Sequence, residues 1–291
     1  LLKCLLDMVE ESEMDSVSSL QCLSRDPSAP LKVLLLVGYT YPVLGGTELA
    51  SFEVAKRLVQ RGHRVNIVTR FSKGFRQDVI ADVGDMQPYE ELFDGKLKIY
   101  RVKLPLKSKF WVLPIGRRFL SQLWGTFKVA WHEPPDVVLA FTMVPTSFLA
   151  MFLHYLLMIT RLKRVPVIAW SRGSDIFVTP NRMDIEGKIT RFCLKLVFYA
   201  NIVLAQTEAS KLELLKLGCK REKIHVLGNA VDLPPTPMHH VPSRIILFIG
   251  GARPAKGLPY LVSAMNGLPH ASLLVIGGWG EEKWVSQALA G

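Results

Sequence analysis

The sequence predicts an α/β protein made of two open parallel-sheet domains that face each other across a cleft, the second incomplete in this chain. Three observations predict it. Residues 31–70 read strand, glycine loop, helix, strand. Residues 233–242, LPPTPMHHVP, hold four prolines in ten positions, as an interdomain linker does. The strand–glycine–helix–strand theme then starts again at Arg244. The implied layout is an N-terminal extension over 1–30, a first domain over 31–233, a linker over 234–242 and the start of a second domain over 243–291.

Each element follows from its pattern. Residues 32–37 form a continuous apolar run with a lysine at its edge, as a strand buried on both sheet faces requires. Gly38 to Gly46 is a loop. Thr47 is placed to cap a helix, with Glu48 at its positive end. Leu49, Phe52, Ala55, Leu58 and Val59 recur at helical spacing, Gly62 ends the helix, and 64–69 is the next strand. Residues 71–94 are polar and read as loop with a short helix; 97–102 alternates like a strand. Residues 135–141 form a buried strand. Residues 145–160 form an apolar helix of about 14 apolar positions, short of the ~20 needed to cross a bilayer, and so read as a sheet-covering helix. Further strands are expected at 165–170, 201–206 and 224–227, with helices at 187–199 and from Thr207 to Leu217. After the linker come a strand at 244–249, a helix at 258–265, a strand at 272–276 and a third glycine loop at Gly277, Gly278 and Gly280.

Composition narrows the partners. The 291 residues carry 36 Lys and Arg against 25 Asp and Glu, a net charge of +11. That balance implies an anionic partner: nucleic acid, an anionic membrane face or a phosphorylated substrate. Residues 96–128 hold Lys96, Lys98, Arg101, Lys103, Lys107, Lys109, Arg117, Arg118 and Lys128, no acid, and interleaved Phe110, Trp111, Phe119 and Trp124. Such a mixture suits an anionic membrane surface, the alternative being solvated helices whose aromatic side chains face the core. No DNA- or RNA-binding motif accompanies the charge, which argues against nucleic acid. Cys4, Cys22, Cys193 and Cys219 have neither CxxC nor metal-ligand spacing and read as reduced thiols of a cytoplasmic protein, peripheral at the membrane if the basic segment docks there. The start at Leu1 and the stop at Gly291, just past a glycine loop, suggest a piece of a longer protein.

The glycine loops carry the chemistry. The first is no dinucleotide fingerprint, because Gly38 and Gly45 lie seven residues apart, and no GK[ST] marks a P-loop. The second, residues 250–257, sets Arg253 and Lys256 three residues apart beside a strand end. A guanidinium fork and an ammonium point charge suit a diphosphate and help a phosphate leaving group depart. No Asp-x-Asp occurs, so no metal site of that kind is indicated.

Five segments in this order, PVLGGTE (42–48), RGSDIF (172–177), GNAVDL (228–233), GARPAKG (251–257) and VIGGWGE (275–281), resemble the retaining glycosyltransferases of family 4, which have the GT-B fold of two Rossmann-like domains. The resemblance covers 31–291. It implies transfer of a sugar from a nucleotide-diphosphate-sugar donor to a glycan or lipid-linked acceptor, without a metal and with no cofactor beyond the donor. It places Gly45 and Gly46 against the donor's phosphate or sugar and Asp175 in the cleft near the transferred sugar or the acceptor. Arg253 and Lys256 would clamp the diphosphate, and Gly278 and Gly280 would border the nucleotide. Asn229 and Asp232 fall on a family turn at the domain junction. Two departures stand out: Arg172 occupies a position where many members have His, and the family's paired-glutamate segment would lie beyond Gly291, so this chain alone is expected to be inactive. A non-catalytic nucleotide-sugar or membrane-binding module of related fold, or a GT-B nucleotide-sugar epimerase, fits the same segments.

Overall fold

The computed structural model describes residues 29–43, 45–71, 86–103, 112–161, 164–232, 244–250 and 256–277, with backbone alone for 112–118. Residues 1–28 of the expected extension and the whole expected linker, 234–242, lie outside the described residues. The chain divides into two compact units, Leu1–Ala230 and Val231–Gly291.

The first unit is built on one sheet in the order β3-β4-β2-β1-β5-β6-β7-β8. Its strands are β1 (Lys32–Leu36), β2 (Arg64–Phe71), β3 (Tyr89–Leu92), β4 (Leu97–Lys103), β5 (Val137–Phe141), β6 (Val167–Trp170), β7 (Ile202–Ala205) and β8 (Ile224–Val226). All pairs are parallel except β3 with β4. β1 sits centrally, with Leu34 opposite Asn66 on one side and Val138 on the other. Its residues alternate between two cores. Val33 and Leu35 join the core under α1 (Gly46–Gln60), with Ala55, Leu58 and Val59. Leu34 and Leu36 join the core on the opposite face. Burial on both faces is why this strand is an unbroken apolar run, each such side chain contributing about 1.5–3 kcal/mol of transfer free energy.

That opposite face is covered by α2 (Val112–His132), α3 (Phe148–Arg161) and α5 (Ile185–Val197), which supply Ala130, Leu149, Leu153, Leu157, Leu194 and Val197 to the core. A four-residue helix, α4 (Ser174–Phe177), precedes α5, and α6 (Glu208–Lys216) follows β7. Thr207 caps α6 by accepting from Ser210 N–H at 3.1 Å, as its sequence position implies. Gly62 and Gly218 take φ of 91° and 97° just past α1 and α6, a conformation that glycine alone adopts without strain.

Three details depart from the sequence expectations. Thr47 is not the N-cap: α1 starts two residues earlier than that cap implies, at Gly46, with Gly45 as its N-cap. The polar stretch before β4 contains a strand, β3, because Tyr89–Leu92 is an antiparallel edge needing no apolar run. The apolar helix is entered through a kink, since a turn at Met143–Ser147 with Val144 extended at φ −129° and ψ 127° leads into α3. The combined run Met143–Arg161, 19 residues, is long and apolar enough to cross a membrane by length and composition. Its inner side chains Leu149, Leu153 and Leu157 nonetheless belong to the sheet-covering core.

The second unit contains β9 (Ile245–Ile249) and β10 (Ser272–Ile276), paired parallel, and α7 (Leu258–Met265). Phe248, Leu273 and Val275 pack with Leu258, Leu261 and Val262 of α7. A Cβ at Gly277 would collide with the carbonyl of Gly250, so the two strand ends approach each other through glycine.

Candidate functional site

Because β1, β5, β6, β7 and β8 run parallel, the loops that follow them gather at one edge of the sheet, where open α/β sheets bind ligands. The loop after β1 ends at Gly45. Glu48, in the first turn of α1, folds back so that a Cβ at position 45 would collide with its carboxylate. That carboxylate is the far end of a flexible side chain and Gly45 is extended at φ 179°, so neither the contact nor the backbone requires glycine there. Gly46 is not required by its neighbours: a Cβ there would meet no atom within 4 Å.

β5 and β6 end opposite each other at Phe141 and Trp170, whose ring centroids are 4.9 Å apart. Arg172, two residues on, lays its guanidinium over both rings, 5.5 Å from the Phe141 centroid and 5.4 Å from that of Trp170. Its Nη1 donates to Asn229 Oδ1 at 3.2 Å, and the same oxygen accepts from Gln206 Nε2 at 3.3 Å. One network therefore ties the ends of β6, β7 and β8. Burial lowers the pKa of Arg172, and the negative charges of Asp175 and Glu48 work against that shift. Among the described residues, Arg172 Nε and Trp170 Nε1 are buried side-chain nitrogens with no hydrogen-bond partner.

Asp175 sits in α4, 7% exposed. Its Oδ2 accepts from Met143 N–H at 2.7 Å, and both oxygens accept from Arg172 N–H at 3.0 and 3.2 Å. Burial pushes its pKa up, and these backbone N–H groups oppose the rise. The carboxylate joins the loop after β6 to the turn after β5. That turn begins at Thr142, a β-branched residue held at φ 86°, a strained conformation of the kind that collects at functional sites.

Of the residues singled out from sequence, Gly45, Gly46 and Asp175 lie at this edge of the first unit. Lys256 lies in the second unit, exposed and directly before Gly257, the left-handed N-cap of α7. Arg253, Gly278 and Gly280 lie outside the described residues. Phe141, Trp170 and Gln206 carry no motif and become visible only through strand pairing. Among the described residues of the basic stretch 96–128, Lys98 and Arg101 are taken up by acidic partners and carbonyls. Lys98 is paired with Glu133 at 2.6 Å, and Arg101 is buried, bound to Glu90 at 2.8 Å and to the carbonyls of Gln87 and Tyr41. Among the described residues no three His, Cys, Asp or Glu side chains come together as a metal-binding group.

Residues 44–234 match the family model of glycosyltransferase family 4. The chain belongs to that family. No curated protein sequence matches it. Among solved structures, the fold is shared with sucrose-phosphate synthase from Thermosynechococcus elongatus, at a TM-score of 0.62 and 13% identity over 90% of this chain and 68% of the other. Anabaena HepE in complex with UDP and glucose has a TM-score of 0.57 and 16% identity over 89% and 65%. WaaG, a glycosyltransferase involved in lipopolysaccharide biosynthesis, has 0.55 and 14% over 89% and 66%. The chain thus spans about two thirds of the length of these glycosyltransferase-fold structures, and the fold is that of the GT-B enzymes.

Proposed function

We propose that the protein transfers a sugar from a nucleotide-diphosphate-sugar donor to a glycan or lipid-linked acceptor, with retention of configuration and without a metal. The observation that carries this reading is the family match over 44–234, a stretch whose loops bring Arg172, Asp175 and Asn229 to one edge of the sheet. HepE, of the same fold, was solved with UDP-glucose, and WaaG acts in lipopolysaccharide biosynthesis; a nucleotide-linked donor and a glycan or glycolipid acceptor follow for this chain by analogy.

In this reading the two units divide the labour. Arg253 and Lys256 bind the diphosphate and offset the charge that develops on its oxygen as the sugar–oxygen bond breaks. Gly45, Gly46, Gly278 and Gly280 let backbone approach the donor closely. Asp175 is a positioning residue: it joins the loop bearing Arg172 to the turn at Thr142 through backbone N–H groups. Arg172 cannot serve as a base at neutral pH. It is a fixed cation that presents hydrogen-bond donors to the reacting sugar or to an anionic group on the acceptor.

The test is to express the protein from its complete reading frame and incubate it with UDP- and GDP-sugars, reading free nucleotide. One nucleotide class is expected to be turned over and to raise the melting temperature. Neither nucleotide release nor a thermal shift with any donor would overturn the assignment.

A further inference from the structure

A helix that covers a sheet ordinarily turns polar residues to water. α2, α3 and α5 turn large apolar side chains outward as well. On α2, Leu120, Trp124 and Trp131 lie exposed along one stripe, Leu120 by 62% and Trp124 by 57%. On α3, Phe152, Tyr155 and Ile159 follow at helical spacing, Ile159 exposed by 71%. On α5, Ile185, Ile189 and Phe192 do the same, Phe192 by 72%. The three helices cover the same face of the sheet, α2 against α3 and α3 against α5, with Phe119 of α2 seated 5.5 and 5.4 Å from the rings of Phe148 and Phe152. The stripes therefore add up to one outward apolar field, larger than the scattered apolar residues of an ordinary soluble surface.

Its charge is one-sided. Lys128 Nζ lies 5.3 Å from the centre of the Trp124 ring, and the Arg161 guanidinium 3.9 Å from that of Trp131. Lys188 and Lys195 are exposed on α5. The three helices contain one acid, Glu186, and it is bound to Arg182 at 2.6 Å. We infer that this face docks flat on an anionic lipid bilayer. Trp and Tyr rings have an apolar body and a polar edge, and Lys and Arg reach from an apolar surface towards phosphate, so the mixture matches the depth of the headgroup region. A second copy of this chain is the poorer occupant, because self-pairing would set these cations against one another. α3 lies on the bilayer and does not cross it, since Leu149, Leu153 and Leu157 on its other side are held in the protein core. The docking does not depend on the transferase reading.

The experiment is co-sedimentation of the full chain with mixed phosphatidylcholine–phosphatidylglycerol vesicles and with pure phosphatidylcholine vesicles. The protein should bind the mixed vesicles at low salt, leave them at high salt and bind neutral vesicles weakly. The double variant Trp124→Asp/Ile159→Asp should lose at least ~10-fold in vesicle affinity with an unchanged melting temperature. If that variant unfolds, Lys188→Glu/Lys195→Glu decides the matter by the same readout. Undiminished binding by a folded variant, equal binding to neutral vesicles, or a soluble dimer that the substitutions dissociate would overturn the proposal.

Discussion

Arg172 is held by two ring contacts and one side-chain hydrogen bond, which together make it hard to replace. Phe141 and Trp170 fix the plane of its guanidinium, Asn229 fixes one end, and its Nε stays buried without a partner. Lysine keeps the charge but neither stacks as a plane nor forks. Arg172→Ala and Arg172→Lys should therefore both lower kcat/KM for transfer by about 10- to 100-fold, the worth of a charged hydrogen bond. Steady-state kinetics of the two variants checks this, and rescue by lysine would count against it. On the donor side, Arg253→Ala or Lys256→Ala should each cut turnover by at least ~100-fold, as removal of a preorganised donor to a developing anion does. Arg172 and Asp175 are legible in the sequence because they stand within one short motif. The aromatic platform is not, because Phe141 and Trp170 lie in different strands and meet only when β5 and β6 pair in register. The direction of Asp175 is equally hidden: its carboxylate serves the N–H of Met143, 32 residues away.

At the scale of elements, the end of α2 is anchored to the sheet by Glu133. Its carboxylate accepts from Lys98 at 2.6 Å, from Asn66 at 3.1 Å and from Tyr100 at 3.3 Å. Burial disfavours the Glu133 carboxylate, but the hydrogen bonds from Lys98 and Asn66 outweigh it, and its pKa lies below the ordinary carboxylate value. A carboxylate with a lowered folded pKa contributes stability above its ordinary pKa and loses it as pH falls through the folded value. The raised pKa of Lys98, caused first by its hydrogen bond to Glu133, adds stability that persists at neutral pH and disappears only at strongly alkaline pH. Glu133→Gln should thus melt below the wild type at pH 7, and the gap should close as pH drops below the carboxylate range. A gap that stays constant in thermal melts from neutral to acid pH would refute this role. The strands paired here show what a sequence reveals. β1, β5, β6 and β7 are apolar runs and are read directly, whereas β3 is YEEL at an antiparallel edge, paired along β4 and tied to it also by Arg101 through Glu90. The basic charges at Lys98 and Arg101 look like surface in the sequence. Their acidic partners come from β3 and from the residue after α2, so pairing them requires the folded sheet.

The whole molecule joins two units whose described strands are covered to different extents. In the first, a sheet of eight strands has residues buried on both faces, and all five residues of β5 are buried. In the second, β9 and β10 alternate between covered and exposed positions. Phe248, Leu273 and Val275 face α7, while Ile245, Leu247, Ile249, Leu274 and Ile276 are each at least half exposed. Both patterns look alike in the sequence, since IILFI and VVLAF are equally apolar; the difference lies in how much covers them, which only the fold reveals. Parallel strands are ordinarily buried on both faces, and two strands with one helix, the elements among the described residues of the second unit, form a marginal core. The local stability of the two units should therefore differ by far more than their sequences suggest. In native-state hydrogen exchange, amides of β9 and β10 should exchange at least ~100-fold faster than those of β5 and β6, a gap of roughly 3 kcal/mol in opening free energy. A nucleotide-sugar donor held by Lys256 and Arg253 would bind the folded form of the second unit and not its open form, so saturating donor should slow exchange in β9 and β10 while leaving β5 unchanged. Equal protection of the two sheets without ligand would show that the second unit is stabilised by contacts other than those of α7, and protection appearing first in β5 would place the donor on the first unit instead.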